Sequence, residues 1–172
     1  SQTLTINPSK WAVSENKSQK FWSHFYNQTS YLVDRKLKRD GGSFNLNPFE
    51  SGSENQLGLQ LNFRNVLFYN RGKQHYTTSY TYLSNKTRNI LSIGFIENGL
   101  NSHQFNLNHK IAESWLITLQ SYFENNESLS ENFASKNYKF DELRLNPKLS
   151  YLFNDNSRFD IFYQYASKEN TI

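Results

Sequence analysis

The sequence contains no cysteine and no methionine among its 172 residues. The absence of cysteine excludes a disulfide framework, a zinc site with thiolate ligands and a thiol nucleophile. Long hydrophobic runs are also missing, and no stretch approaches the roughly 20 apolar residues that a transmembrane helix needs. The chain opens Ser1-Gln2-Thr3, without the basic and apolar segments of a signal peptide, so we expect a mature or excised piece of a protein.

A large excess of charge of one sign is also absent from the sequence. The formal net charge is +4, and the only dense basic run covers residues 35–39. Nucleic-acid binding needs a clustered basic stripe, so we expect this run to be a solvated strand end, and we expect no nucleic-acid partner. The four histidines form no His-x-x-x-His or His-Glu-x-x-His pair. The sequence therefore predicts no enzyme activity, no catalytic residues, no metal site and no cofactor.

What the chain has in quantity is aromatic residues, which make up 16% of a sequence whose mean hydropathy is strongly polar. From Gln56 onward, apolar and polar side chains alternate with a period of two. Leu59, Leu61 and Phe63, for example, alternate with Gln60, Asn62 and Arg64. Strict alternation indicates strands with one apolar face. A membrane barrel has a polar lumen and an apolar outer face, which reconciles this pattern with the low hydropathy.

Polar segments with turn chemistry separate the predicted strands, because Asn and Gly tolerate the backbone of tight turns. We predict an all-β fold, an antiparallel up-and-down meander of consecutive hairpins forming an outer-membrane β-barrel or a section of a larger one. Residues 1–172 are expected to be a single barrel (fragment) domain, with a less regular part over 1–55 and a regular hairpin array over 56–167. The predicted links are Asn70–Lys73, Ser84–Thr87, Glu97–Asn101, Ile111–Ser114, Glu124–Lys136 and Asn154–Ser157.

Three features favour the membrane barrel over a soluble sheet. The predicted links tend to alternate between short and long, as the two ends of a membrane barrel do. No long crossover interrupts the hairpins after Gln56. Aromatic residues lie near the ends of the predicted strands, as in the girdles at membrane interfaces: Tyr69, Tyr76, Tyr82, Trp115, Phe123, Tyr138, Phe153, Phe159 and Tyr165. The alternative is a soluble or surface-exposed β-sandwich binding module, an adhesin or carbohydrate-binding domain, because such sandwiches also alternate.

Two segments, Asn108–Leu119 and Leu149–Phe159, carry a resemblance in style. They resemble the periplasmic hairpins of large outer-membrane β-barrels of the Bacteroidota type, and the resemblance extends over about Gln56–Ser167. It implies a location in the cell outer membrane and a transport or translocation pore, or part of an outer-membrane assembly. The expected partners are the lipid bilayer with its lipopolysaccharide, and the rest of a larger barrel or other outer-membrane subunits.

The alternation assigns individual side chains to the two faces. We expect the charged ones on the polar face to line the lumen, where they pair across strands or select solutes: Arg64, Arg88, Lys110, Glu142, Arg144, Lys148 and Asp160. We expect the opposite face to contact lipid through Leu59, Leu61, Phe63, Leu67, Tyr80, Ile93, Leu107, Ile117, Leu119, Leu145, Leu149, Ile161 and Tyr163.

Overall fold

A computed structural model of the chain describes residues 2–6, 24–71 without 38–55, 75–91, 94–154 and 157–170. The predicted all-β antiparallel meander is confirmed: nine strands lie in one sheet in which each strand pairs with the next along the chain, as far as β8. The strands are β1 (Gln2–Ile6), β2 (Phe25–Leu37), β3 (Gln56–Tyr69), β4 (Tyr76–Leu91), β5 (Gly94–Ala112), β6 (Trp115–Ser130), β7 (Tyr138–Asn154), β8 (Ser157–Phe162) and β9 (Tyr165–Asn170).

The last two strands, β8 and β9, are consecutive segments that both pair with β7. Leu149 pairs with Ile161 of β8 and Leu145 pairs with Tyr165 of β9, in one continuous register. Between them, the N–H of Tyr163 donates to the carbonyl of Pro147 at 3.0 Å. Pro147 has no N–H to return the second bond of this pair. The missing donor explains why the ladder is interrupted at this point.

Several strands are longer than the sequence pattern predicts. The links predicted at 84–87 and 97–101 are wrong, because these residues lie inside β4 and β5. Between these two predicted links, residues 90–91 end β4 and residues 94–95 begin β5, so they form no separate strand. The link predicted at 124–136 is shorter, because β6 continues to Ser130. The predicted link at 111–114 is confirmed at 113–114.

The two ends of the sheet differ. The strand ends at Tyr69, Tyr76, Ala112, Trp115, Asn154 and Ser157 lie at what we call the lower end. The strand ends at Leu91, Gly94, Ser130 and Tyr138 lie at the upper end, where Ala134–Lys136 forms a single 3-10 turn. The strands between these ends reach 19 residues in β5 and 17 in β7. At about 3.3 Å per residue, such strands are about 55–63 Å long, well beyond the usual strand in globular proteins.

The sheet is a single layer within the described ranges. Val66 is the only hydrophobic side chain among the described residues that is buried, at 3% exposure. None of the described helical segments is long and apolar enough to cross a membrane. A folded sheet normally buries one face against another layer, so the chemistry of the two faces is the feature of this fold that bears on function.

Candidate functional site

Pairing across the strands determines which side chains share a face, because directly opposed residues of an antiparallel pair point to the same side. One row of opposed residues runs from Tyr76 through His109, Ile117 and Leu149 to Ile161. We call the face with this row the apolar face and the opposite one the polar face. Apart from Ile93, which lies outside the described residues, the side chains predicted to contact lipid all share the apolar face: Leu59, Leu61, Phe63, Leu67, Tyr80, Leu107, Ile117, Leu119, Leu145, Leu149, Ile161 and Tyr163.

The polar face carries most of the charged residues that were predicted to line a lumen. Arg64 opposes Leu83, and Lys110 opposes Leu116. Around them, hydroxyl and amide side chains predominate on this face, for example Thr118 opposite Asn108. The remaining predicted members on this face are Glu142, Arg144, Lys148 and Asp160.

The prediction that Arg88 lies on the polar face is wrong. Arg88 opposes Leu59 on one side and Glu97 on the other, so it lies on the apolar face rather than the polar one. The predicted turn at 84–87 would have reset the alternation, whereas β4 continues through it. Arg88 therefore shares the face of Tyr80. Its guanidinium carbon lies 4.4 Å from the ring centroid of Phe95, a cation–π geometry.

The apolar face has two zones. Its lower half is an apolar band, defined by Leu107, Leu119, Leu145, Leu149 and Ile161 together with the aromatic groups on either side of them. Aromatic side chains border this band below and above. Below it, the rings of Trp115 and Tyr151 have centroids 4.5 Å apart, and Phe159 opposes Tyr151. Above it, the ring of His103 lies between Tyr82 at 5.0 Å and Phe123 at 6.2 Å.

The aromatic prediction is thereby only partly correct. Trp115, Phe153 and Phe159 lie near strand ends at the lower side. Tyr82 and Phe123 lie well inside β4 and β6, because these strands continue past the band. These two side chains border the apolar band, not the ends of their strands.

Above the upper aromatic group, the same face becomes charged. Lys86 and Glu97 form an ion pair of 2.6 Å. Glu127 opposes Lys139, and Asn125 donates to Asp141 at 2.6 Å. On β4, β5, β6 and β7, this face thus changes its character about halfway along the strand. A face packed against a second sheet would stay apolar along its whole contact, whereas a face that leaves a bilayer becomes polar at the interface.

Several polar side chains within and beside the band have hydrogen-bond partners. The hydroxyl of Tyr80 lies 2.6 Å from Nδ1 of His103. The hydroxyl of Thr78 donates to the carbonyl of Asn106 at 2.9 Å. The amide of Asn65 donates to Thr29 at 2.6 Å. Polar groups without access to water need such partners, because an unsatisfied group in an apolar medium costs several kcal/mol.

On the polar face, two groups of charges pair across strands. Arg144 contacts Glu124 at 3.1 Å and Glu142 at 2.9 Å. Asp160 accepts from Lys148 at 3.0 Å and from Arg158 at 2.7 Å. Each group links neighbouring strands, which is the wall-stiffening arrangement that the sequence suggested.

Two members of these groups, Glu124 and Arg158, were missed by sequence reasoning, because Glu124 falls in a segment predicted as a link and Arg158 directly follows the predicted link Asn154–Ser157. A signal for them was present. Glu124 stands two residues after Tyr122, and Arg158 stands two residues before Asp160. Continued alternation places each on the polar face with its partner.

The described residues contain no group of three His, Cys, Asp or Glu side chains arranged to hold a metal ion. Comparison with known proteins adds no relative: no protein-family profile, curated protein or solved structure matches this chain. The function of this chain is therefore inferred from the two faces of the sheet.

Proposed function

We propose that this chain forms part of the wall of an outer-membrane β-barrel, as a transport or translocation pore or as part of an outer-membrane assembly. The observation that carries the proposal is the apolar band, which is bordered by aromatic side chains on both sides and covered by none of the described residues. Fully burying one Leu, Ile or Phe is worth about 1.5–3 kcal/mol. A dozen such side chains on one uncovered face therefore favour an apolar environment such as lipid.

The dimensions of the band support a bilayer. On β6 it extends from Trp115 to Phe123, about half of the 16-residue strand. At about 3.3 Å per residue, this is about 26 Å along the strand. These nine residues match the roughly 9–11 residues of a tilted strand that cross a membrane. The remaining upper half of β6 would stand in water, which fits its charged and amide side chains.

The opposite face supports a wet lumen. Along the band, it presents amides, hydroxyls and paired charges, and the amide of Asn106 donates to the hydroxyl of Ser79 at 3.4 Å. The competing hypothesis, a β-sandwich binding module, needs a second sheet over the apolar face. All described strands belong to one sheet, so the observations favour the barrel.

Neighbouring residues on opposite faces of β6 provide the test. Leu119 lies in the middle of the band and Thr118 on the polar face. We expect Leu119→Arg to abolish heat-modifiable, protease-resistant assembly in outer membranes, because an arginine at the bilayer midplane costs about 2–4 kcal/mol. We expect Thr118→Arg to assemble normally, because its charge would stay in the lumen.

Leu61→Arg and Gln60→Arg repeat this comparison on β3, where the two residues oppose Lys86 and Thr87. Because Leu61 lies near the upper border of the band, we expect a smaller loss than at Leu119. Equal damage from both members of each pair would contradict a wet lumen. A wild-type chain that remains monodisperse in water without detergent would contradict the membrane assignment.

A further inference from the structure

We propose that the free edge formed by β8 and β9 is a pairing site for another β-strand, antiparallel to it and amphipathic, with its apolar side chains on the face of Ile161 and Tyr163. The inference rests on the proposed function and deepens it by naming the edge, the strand direction and the side-chain chemistry of the partner. Within the described part of the chain, β8 and β9 pair only with β7.

The backbone of this edge is oriented for pairing. Alternate residues of an antiparallel strand direct their N–H and C=O to the same neighbour. Tyr163 directs its N–H to Pro147 of β7. Residues at even positions therefore direct theirs away from β7, namely Asp160, Phe162, Gln164 and Ala166. In a bilayer, each such group left unsatisfied costs several kcal/mol, which is why membrane barrels have no open edges.

The apolar band continues to this edge without tapering. Phe159, Ile161 and Tyr163 are 54%, 55% and 62% exposed. Leu149, one strand further in, is only partly exposed. A sheet whose apolar surface ended at β8 would have polar side chains on its last strand. The high exposure of these three side chains indicates that a neighbouring strand supplies the missing apolar contacts.

The polar face at the same edge is also incomplete. Phe162 is 76% exposed although it lies among polar side chains. Next to it, a cavity of about 440 Å³ opens between β6, β7 and the edge, lined in part by Gln120, Asn146, Lys148 and Gln164. A further strand would place side chains beside the ring of Phe162 and close this cavity from its open side.

Protective features of water-exposed edges are lacking here. Soluble proteins guard edge strands with lysine, proline, bulges or inward-pointing charges. Between Phe159 and Tyr165, the apolar side of the edge carries none of these. Arg158 and Asp160 lie on the polar face and bond inward, Arg158 to Ser150 at 3.0 Å and Asp160 to Lys148. They leave the edge open to a partner.

The direction of the partner follows from the membrane. β8 and β9 run from the lower to the upper end, so an antiparallel partner descends. Two copies of this edge could pair with each other only about a twofold axis normal to the sheet. That axis would lie in the membrane plane and invert one copy. The occupant is therefore a descending strand of a barrel wall in the same orientation, not a second copy of this edge.

A peptide with the sequence of Tyr138–Asn154 is a suitable probe, because β7 is the strand that pairs antiparallel with β8 and β9 on their inner side. The full chain in detergent micelles is followed by amide hydrogen exchange with and without this peptide. We expect exchange at Phe162 and Gln164 to slow about tenfold or more on addition of the peptide, because hydrogen-bonded amides exchange only on opening. A scrambled peptide without alternation should have no effect.

Two variants at one outward-facing position sharpen the test. Proline is tolerated on an edge strand where its missing N–H faces outward. Gln164→Pro should therefore keep the fold and abolish protection by the peptide, whereas Gln164→Ala should keep both. The proposal is overturned if the peptide protects neither amide, if Gln164→Pro retains the protection, or if Phe162 and Gln164 are protected without peptide. Failure of the membrane assignment would be recognised separately, by a chain that is monodisperse in water.

Discussion

Arg144 illustrates how single residues hold the wall of this sheet together. Glu124 and Glu142 oppose each other directly on β6 and β7, and Arg144 forms an ion pair with both. Like charges in directly opposed positions destabilise a sheet. The arginine therefore compensates a repulsion that the backbone register imposes.

We expect Arg144→Ala to lower the free energy of unfolding by about 1 kcal/mol, a modest value because the side chain is partly exposed and solvent screens the pairs. Urea titration of the folded chain in detergent measures it. The double variant Arg144→Ala with Glu124→Gln should recover part of the loss, since one of the two opposed carboxylates is then neutral. If single and double variants unfold at the same urea concentration, carboxylate repulsion is not the cause of the loss.

Residue-level prediction from the sequence succeeded where alternation of hydrophobicity was present. Leu119 and Leu149 were assigned to the correct common face because apolar and polar residues alternate without interruption around them. Arg88 was assigned to the wrong face because a turn was predicted just before it. Odd- and even-numbered residues keep to their own faces only as long as the strand continues. A turn predicted where the strand in fact continues can therefore assign the residues after it to the wrong face, as it did for Arg88.

At the level of strands, the errors share a physical cause. The upper halves of β4, β5 and β6 are rich in Asn, Ser, Thr and Glu on both faces. When both faces meet water, no alternation is required, and Asn- and Gly-containing segments such as 97–101 have the composition of turns. Pairing with neighbouring strands holds them extended, and such tertiary pairing is not readable from local composition.

The interruption between β8 and β9 leads to a prediction about Pro147. Replacing it with valine supplies an N–H that can donate to the carbonyl of Tyr163, the bond that proline cannot make. We expect Pro147→Val to join β8 and β9 into one ladder and to raise the free energy of unfolding by about 0.5–1.5 kcal/mol, the net value of one hydrogen bond. Urea titration and amide exchange at residue 147 measure the two effects.

Asn146→Val is the matched control for this change. Asn146 opposes Gln120 of β6 and directs its backbone toward that strand, so its substitution adds no bond to β8 or β9. A gain in stability at position 146 as large as the gain at 147 would contradict the added hydrogen bond as the cause.

For the whole molecule, the stagger of neighbouring strands gives the tilt of the strands, which the two faces alone do not give. The row of opposed residues that starts at Tyr76, the first residue of β4, reaches Ile117, the third residue of β6, and Ile161, the fifth residue of β8. Each hairpin thus shifts the lower end by two residues relative to the row, which is one residue per strand. In a membrane barrel, the short turns end at one interface, so this shift measures the strand tilt.

One residue of about 3.3 Å along the strand for each step of about 4.8 Å across it corresponds to a tilt of about 35° from the barrel axis. We expect polarised infrared spectra of the chain in oriented bilayers to give a mean strand tilt near this value, within the range of about 35–45° for bacterial barrels. The Leu119→Arg variant, which should not insert, is the control and should show no preferred orientation. A wild-type tilt below about 20° would contradict a barrel wall, because closing a sheet into a barrel requires tilted strands. Random orientation of the wild-type strands would contradict membrane insertion itself.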